Sequence, residues 1–246
     1  WGNAGIDAAA KAVILAEYGK QVWQDVRDYA KAHPAIVPFI NTDPHLACSI
    51  SENSNKERWL VGDGFNTYID TGLYGNKRLS FDGRCLPLDK TSAYPTYQNL
   101  FGSRVTSTSR CYGVALSIAN NKWLTNWGNS EAIDWSWKYN QAYDVHLSSE
   151  GFFIDGELKI KQATVDNVSP TTILLYSRAE SATAINTRPY AGGLAYAKFG
   201  GDVSRHYVPM QHPTEGAGML DLVTYTFHPN ANTQGQFTIA VTDKAT

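Results

Sequence analysis

AYDVHLSSEGFFIDGELKIK, residues 142–161, decides the fold class. Tyr143, Val145 and Leu147 alternate with Asp144, His146 and Ser148, and a period of two sends one set to a core face and the other to water. Ser149, Glu150 and Gly151 interrupt the pattern; it resumes at Phe152 and Ile154 and again, after Asp155-Gly156, at Leu158 and Ile160. The Asp-Gly pair suits a two-residue hairpin, because a type I′ turn needs positive φ at both central positions and these residues tolerate it. Three short antiparallel strands are expected.

Working outward, similar short runs broken by Gly, Asn, Asp and Pro fill the chain from Arg58 onward, among them 68–71, 78–82, 100–104, 112–118, 122–127, 172–178, 193–199, 206–209, 219–222 and 236–241. Strands at such spacing mean a sandwich or barrel. The N-terminal part differs. Residues Ile6 to His33 are rich in alanine and carry Leu15, Tyr18, Val22, Val26 and Tyr29 on one stripe, the pattern of an amphipathic helix stopped by Pro34. That stripe has two readings, docking on the chain's own sheet or packing between copies. Pro34, Pro38, Pro44 and the polar run Ser51 to Asn55 read as a connector. The expected organisation is therefore a helical attachment or assembly segment at 1–40, a linker at 41–57 and a β domain at 58–246.

The formal net charge of −2, with no dense run of Lys or Arg, argues against a nucleic-acid partner, since phosphate binding draws on clustered cations. No run reaches the roughly 20 apolar residues of a membrane span. The first residue is Trp1, with no basic-then-apolar leader, so a removed precursor segment or a fragment is expected. Cys48, Cys85 and Cys111 imply no disulfide framework, their number being odd; Cys85 and Cys111 could bridge only if their strands paired, and free buried thiols are the favoured reading.

The ordered segments Tyr68-Ile-Asp-Thr-Gly72, Phe101-Gly-Ser-Arg104 and Phe153-Ile-Asp-Gly156, followed by Ala195 to Phe199, Arg205 to Pro209, Gly218 to Val223 and Gly235-Gln-Phe237, resemble the concanavalin A-like, laminin-G-like jelly-roll domains of gut-bacterial surface proteins and their phages. The resemblance runs over roughly residues 58–240. It implies a concanavalin A-like jelly-roll β-sandwich, here with an N-terminal α-helix, and an extracellular, cell-surface or virion-surface location.

Glycosidases of this broad fold place two carboxylates on one strand as Glu-x-Asp-x-Glu, and the chain lacks that pattern; Asp155-Gly156-Glu157 is a turn. There is no zinc-protease, nucleophile-elbow or phosphate-loop motif. No catalytic residues, metal site or cofactor are expected. Seven Trp and fourteen Tyr are more than a core of this size needs, and several fall in 120–140, read as a loop region. Trp127, Asn129, Asp134, Trp135 and Trp137 combine indole faces for a pyranose with amide and carboxylate groups for its hydroxyls; the rival reading places these tryptophans in the sandwich interior. The function expected is non-catalytic, lectin-like glycan binding, with a glycan or cell-surface polysaccharide as partner, for adhesion or receptor recognition. The alternatives are a structural fibre, pilus or virion subunit without sugar binding, its aromatic faces meeting neighbouring subunits, and a glycoside hydrolase of the same broad fold; a homo-oligomer or larger assembly through the N-terminal helix is a separate expectation.

Overall fold

The computed structural model describes residues 2–104, 111–161, 169–181 and 188–244, with the side chains of 111 and 128–131 set aside. Asp7 caps the first helix, α1 (Ala8–Glu17), its carboxylate accepting the Ala10 N–H at 2.7 Å. The single helix expected over 6–33 is broken at Gly19, which takes φ +87°; a helix-interior glycine already costs about 1 kcal/mol, and here the chain turns and restarts as α2 (Gly19–Ala32).

The prolines then begin structure instead of ending it. Pro34 and Pro44 open the 3₁₀ turns Pro34–Ile36 and Pro44–Leu46, followed by α3 (Val37–Thr42) and α4 (Ala47–Ile50). A proline in the first turn forfeits no hydrogen bond and arrives with its φ already set. The stretch 41–57, expected as a linker, is thus corrected: it is folded, with Leu46, Ala47, Cys48, Ser51 and Ser54 buried.

Among the described residues fifteen strands follow: β1 (Lys56–Val61), β2 (Ile69–Tyr74), β3 (Ser80–Pro87), β4 (Tyr97–Arg104), β5 (Cys111–Ser117), β6 (Lys122–Ser136), β7 (Tyr143–Ser148), β8 (Gly151–Ile154), β9 (Glu157–Ile160), β10 (Thr172–Leu175), β11 (Gly192–Gly200), β12 (Arg205–His212), β13 (Gly216–Asp221), β14 (Thr226–His228) and β15 (Thr238–Asp243). They form two antiparallel sheets, a jelly-roll sandwich. The larger runs β14-β13-β12-β11-β3-β7-β8-β9, with β1 joining β11 to β15; the smaller runs β2-β10-β4-β5-β6. The meander forms as its alternation requires, and Asp155 and Gly156 take φ +51° and +78° in the turn between β8 and β9.

Between the sheets, Phe81 of the large sheet stacks on Phe101 of the small one at 3.8 Å, and Trp123 meets Tyr143 edge-on. Cys85 is buried and free. Its strand β3 and the β5 of Cys111 belong to opposite sheets, so the strand pairing a bridge would need does not occur; the Cys111 side chain lies outside the described residues.

A second hydrophobic cluster lies on the outer face of the large sheet. Ile6, Ile14, Val22, Val26, Ile36, Ile40 and Leu46 pack against Val208 and Met210 of β12 and Leu220 of β13, with Leu15, Tyr18 and Tyr29 partly buried beside them. The apolar stripe that suggested assembly is consumed by the chain's own sheet. One buried ion pair pins the arrangement: Arg58 Nη1 lies 2.6 Å from Asp43 Oδ2, and the same oxygen accepts the Gln211 N–H at 2.7 Å.

Candidate functional site

The helices pack chiefly over β12 and β13 and reach β1, where Asp43 pairs with Arg58. Next to them the outer face of β11, β3, β7 and β8 stays in contact with water, and its side chains follow from strand alternation. In β3, Phe81 and Cys85 enter the core, leaving Asp82 and Arg84 outside; in β7, Tyr143, Val145 and Leu147 enter, leaving Asp144 and His146 outside. β11 would not comply by simple counting, because Leu194 is in the core yet so are Ala197 and Phe199. A register shift between Leu194 and Tyr196 resolves this, switching the inward set from even to odd numbers and turning Tyr196 and Lys198 outward.

Strand pairing then sets these residues in rows. Lys198, Asp82, His146 and Phe153 stand opposite one another across β11, β3, β7 and β8, and Tyr196, Arg84 and Asp144 form the next row. Asp82, Asp144, His146, Phe153 and Tyr196 line a cleft of about 370 Å³, within the range of small-ligand sites. Its polar groups are fixed by one another. His146 Nδ1 lies 2.6 Å from Asp82 Oδ1; a carboxylate only accepts, so Nδ1 carries a proton and donates it to Asp82. Arg84 spans Glu57 at 2.6 Å and Asp144 at 2.7 Å, and Tyr196 donates to Asp144 Oδ1 at 3.4 Å.

Two rings flank this grid. Phe153 packs edge-on against His146 with centroids 5.4 Å apart, and Tyr196 carries the Lys198 ammonium 5.2 Å from its centroid. Burial, and then the charges of Asp144 and Asp82, push the Tyr196 phenol well above its ordinary value, so it is a hydrogen-bond donor and not a base. Partial burial works against the Arg84 charge, but Asp144 and Glu57 outweigh it and hold the guanidinium above its usual value. Beside Tyr196, His206 is pushed down to about 4 by burial and by Lys198. The arrangement offers donors, acceptors and aromatic faces in fixed positions, the means of binding a polyhydroxylated ligand.

The residues expected from the sequence are placed elsewhere and are not brought together. Region 120–140 is no loop: 122–136 is the long strand β6, whose core face takes Trp123 and Trp127. Trp127 is 5% exposed against Tyr112, and Trp137 is 2% exposed against Tyr139; both are corrected to core residues, since a buried indole offers no face to a sugar. Trp135 is exposed, but its ring is occupied by the Lys159 ammonium, 2.9 Å from its centroid. Asp134 is exposed and pairs with Lys122 at 2.8 Å. Asn129 lies in β6, and its side chain falls outside the described residues. Of the cleft residues, Asp144 and His146 were visible in the sequence as the water-facing half of the 143–148 alternation, and Asp82, Phe153 and Tyr196 only as members of other strand-like runs.

No protein-family profile matches the chain, and no curated protein does. Among solved structures, a candidate carbohydrate-binding protein from Bacteroides ovatus superimposes with a TM-score of 0.54 at 11% identity, over 77% of this chain and 60% of that one. This chain therefore spans less than two thirds of that protein. The carbohydrate-binding module CBM66 from Bacillus subtilis aligns with a TM-score of 0.32 at 12% identity, over 55% of this chain and 78% of that one. A pentraxin from Limulus polyphemus gives 0.38 at 10% identity, over 58% of this chain and 75% of that one. At these identities the Bacteroides ovatus likeness is one of fold.

Proposed function

We propose that this chain is a non-catalytic, lectin-like module of the concanavalin A-like kind and that it binds glycan in the cleft over β3, β7 and β8. One observation carries the reading: the Phe153 and Tyr196 rings flank a solvent-facing grid of Asp82, Arg84, Asp144 and His146 that is already ordered by mutual hydrogen bonds. Pre-ordered polar groups spare a sugar the cost of arranging them on binding, and an aromatic face can take the apolar side of a pyranose. The Bacteroides ovatus fold neighbour is described as a candidate carbohydrate-binding protein, which supports the same reading. Display on a cell or virion surface, for adhesion or receptor recognition, completes the proposal.

A glycan array with the purified chain, followed by calorimetry on the best saccharide, tests it. Phe153→Ala removes the ring and leaves the polar grid in place; affinity is expected to fall roughly tenfold, the equivalent of about 1.4 kcal/mol. Absence of binding to any saccharide by a folded chain, or undiminished affinity in Phe153→Ala, overturns the proposal.

A further inference from the structure

The small sheet has an outer face of its own, on the opposite side of the sandwich from the cleft. In β4 the register slips between Asn99 and Phe101. Tyr97 and Asn99 before the slip consequently share a face with Gly102 and Arg104 after it, opposite the core residues Leu100 and Phe101. Their partners across β5 are small: Ser117 faces Tyr97, Ala115 faces Asn99 and Gly113 faces Gly102.

Three arginines meet on this face. Arg178 lies over Gly102, where an added Cβ would stand 3.5 Å from the Arg178 Cγ. Arg188 holds its guanidinium 5.1 Å from the centroid of the Tyr97 ring, and its carbonyl accepts the Asn99 N–H at 2.9 Å. The Arg104 N–H donates to the carbonyl of Ala179, the residue after Arg178, at 2.8 Å. Glu180 pairs with Arg178; among the described residues neither Arg104 nor Arg188 has a carboxylate partner. Burial, and then the Arg188 charge, pull Arg178 below its usual value, the direction that crowded like charges impose.

A second observation points the same way. Asn99 is fully buried, yet neither its amide nitrogen nor its oxygen is hydrogen-bonded, and the buried Arg104 Nε is likewise unbonded. Buried polar groups are almost always satisfied, and leaving one unmade costs about 1–3 kcal/mol. Surplus positive charge and idle N–H donors on one face call for a ligand that brings negative charge and acceptor oxygens.

We propose that this face is an oxyanion site, in which a sulfate, phosphate or carboxylate group accepts hydrogen bonds from the Arg104 and Arg188 guanidiniums and the Asn99 amide. Guanidinium forks match such groups in pairs of parallel hydrogen bonds, which a lysine ammonium cannot do. The site is independent of the glycan cleft.

Calorimetric titration of the full chain with sodium sulfate, sodium phosphate and sodium glucuronate, at an ionic strength fixed with chloride, tests the proposal and tells the three groups apart. Saturable binding of at least one is expected, weakened roughly tenfold by Arg188→Ala and only partly restored by Arg188→Lys. Phe153→Ala is expected to leave it unchanged. If Arg188→Ala does not fold, Arg104→Gln serves, with the same loss expected. No saturable binding of any of the three, or equal affinity in both arginine variants and the parent chain, overturns the proposal.

Discussion

Asp43→Ala tests how firmly the helical segment belongs to the sandwich. The Asp43 and Arg58 side chains are 4% and 3% exposed, 2.6 Å apart, and Asp43 also receives the Gln211 N–H from β12. Removing the carboxylate strands a buried guanidinium, whose other contact is the Pro209 carbonyl at 3.4 Å, and orphans a backbone donor. Breaking a buried pair from one side costs about 3–5 kcal/mol and an unsatisfied N–H about 1–3; the two overlap, so a loss of about 4 kcal/mol is expected. Asp43→Asn keeps an acceptor and should lose less. The double variant Asp43→Ala with Arg58→Met removes the stranded charge and should recover much of the loss, as replacing a buried pair by apolar groups often does. Urea denaturation followed by tryptophan fluorescence and far-UV circular dichroism reads all three. A loss below about 1 kcal/mol for Asp43→Ala, or no recovery in the double variant, would refute the reasoning.

Deleting residues 1–40 uncovers Val208, Met210, Leu220 and Leu222 on the sheet, so the truncated chain should aggregate or bind a hydrophobic dye; a soluble monomer with unchanged sheet signal would contradict this. His206 is held at about 4 against an ordinary 6.5, chiefly by burial, so the unfolded chain takes up a proton that the folded chain refuses. Its contribution to stability is intact above pH 6.5 and is lost as pH falls from there to about 4, reaching about 3 kcal/mol. His206→Gln should therefore show a flatter dependence of the urea midpoint on pH across that window, and superimposable curves would count against the assignment.

The meander was legible because 143–161 combines strict alternation with an Asp-Gly turn, both local signals. Region 34–50 was not, because a proline that opens a helical turn looks in sequence like one that closes a helix. The first half of β6, 122–127, reads as a strand in sequence, but its continuation to Ser136 falls in the stretch read as a loop region since its asparagine and serines carry turn propensity, while the strand's full extent is a tertiary fact. β1 holds Trp59, Leu60 and Val61 buried on both faces, leaving no alternation to read. The cleft was out of reach for another reason. Asp82 and His146 stand 64 positions apart, and only the pairing of β3 with β7 brings them together. Tryptophan count was a misleading guide: indoles were sought at the surface, and most of those in 120–140 fill the core.

Both proposed sites sit where a strand skips a beat. β11 between Leu194 and Tyr196, and β4 between Asn99 and Phe101, each hold one residue more than the even-odd rhythm allows. Such a residue acts like a change of reading frame: the letters before it and after it are translated onto opposite layers. Deleting one residue there would leave composition and hydrophobicity almost untouched, yet it would exchange Tyr196 and Lys198 with Ala197 and Phe199, or Gly102 and Arg104 with Phe101 and Ser103. In aligning distant relatives, therefore, a one-residue gap at either place outweighs many substitutions, because it decides whether a face for ligands exists at all.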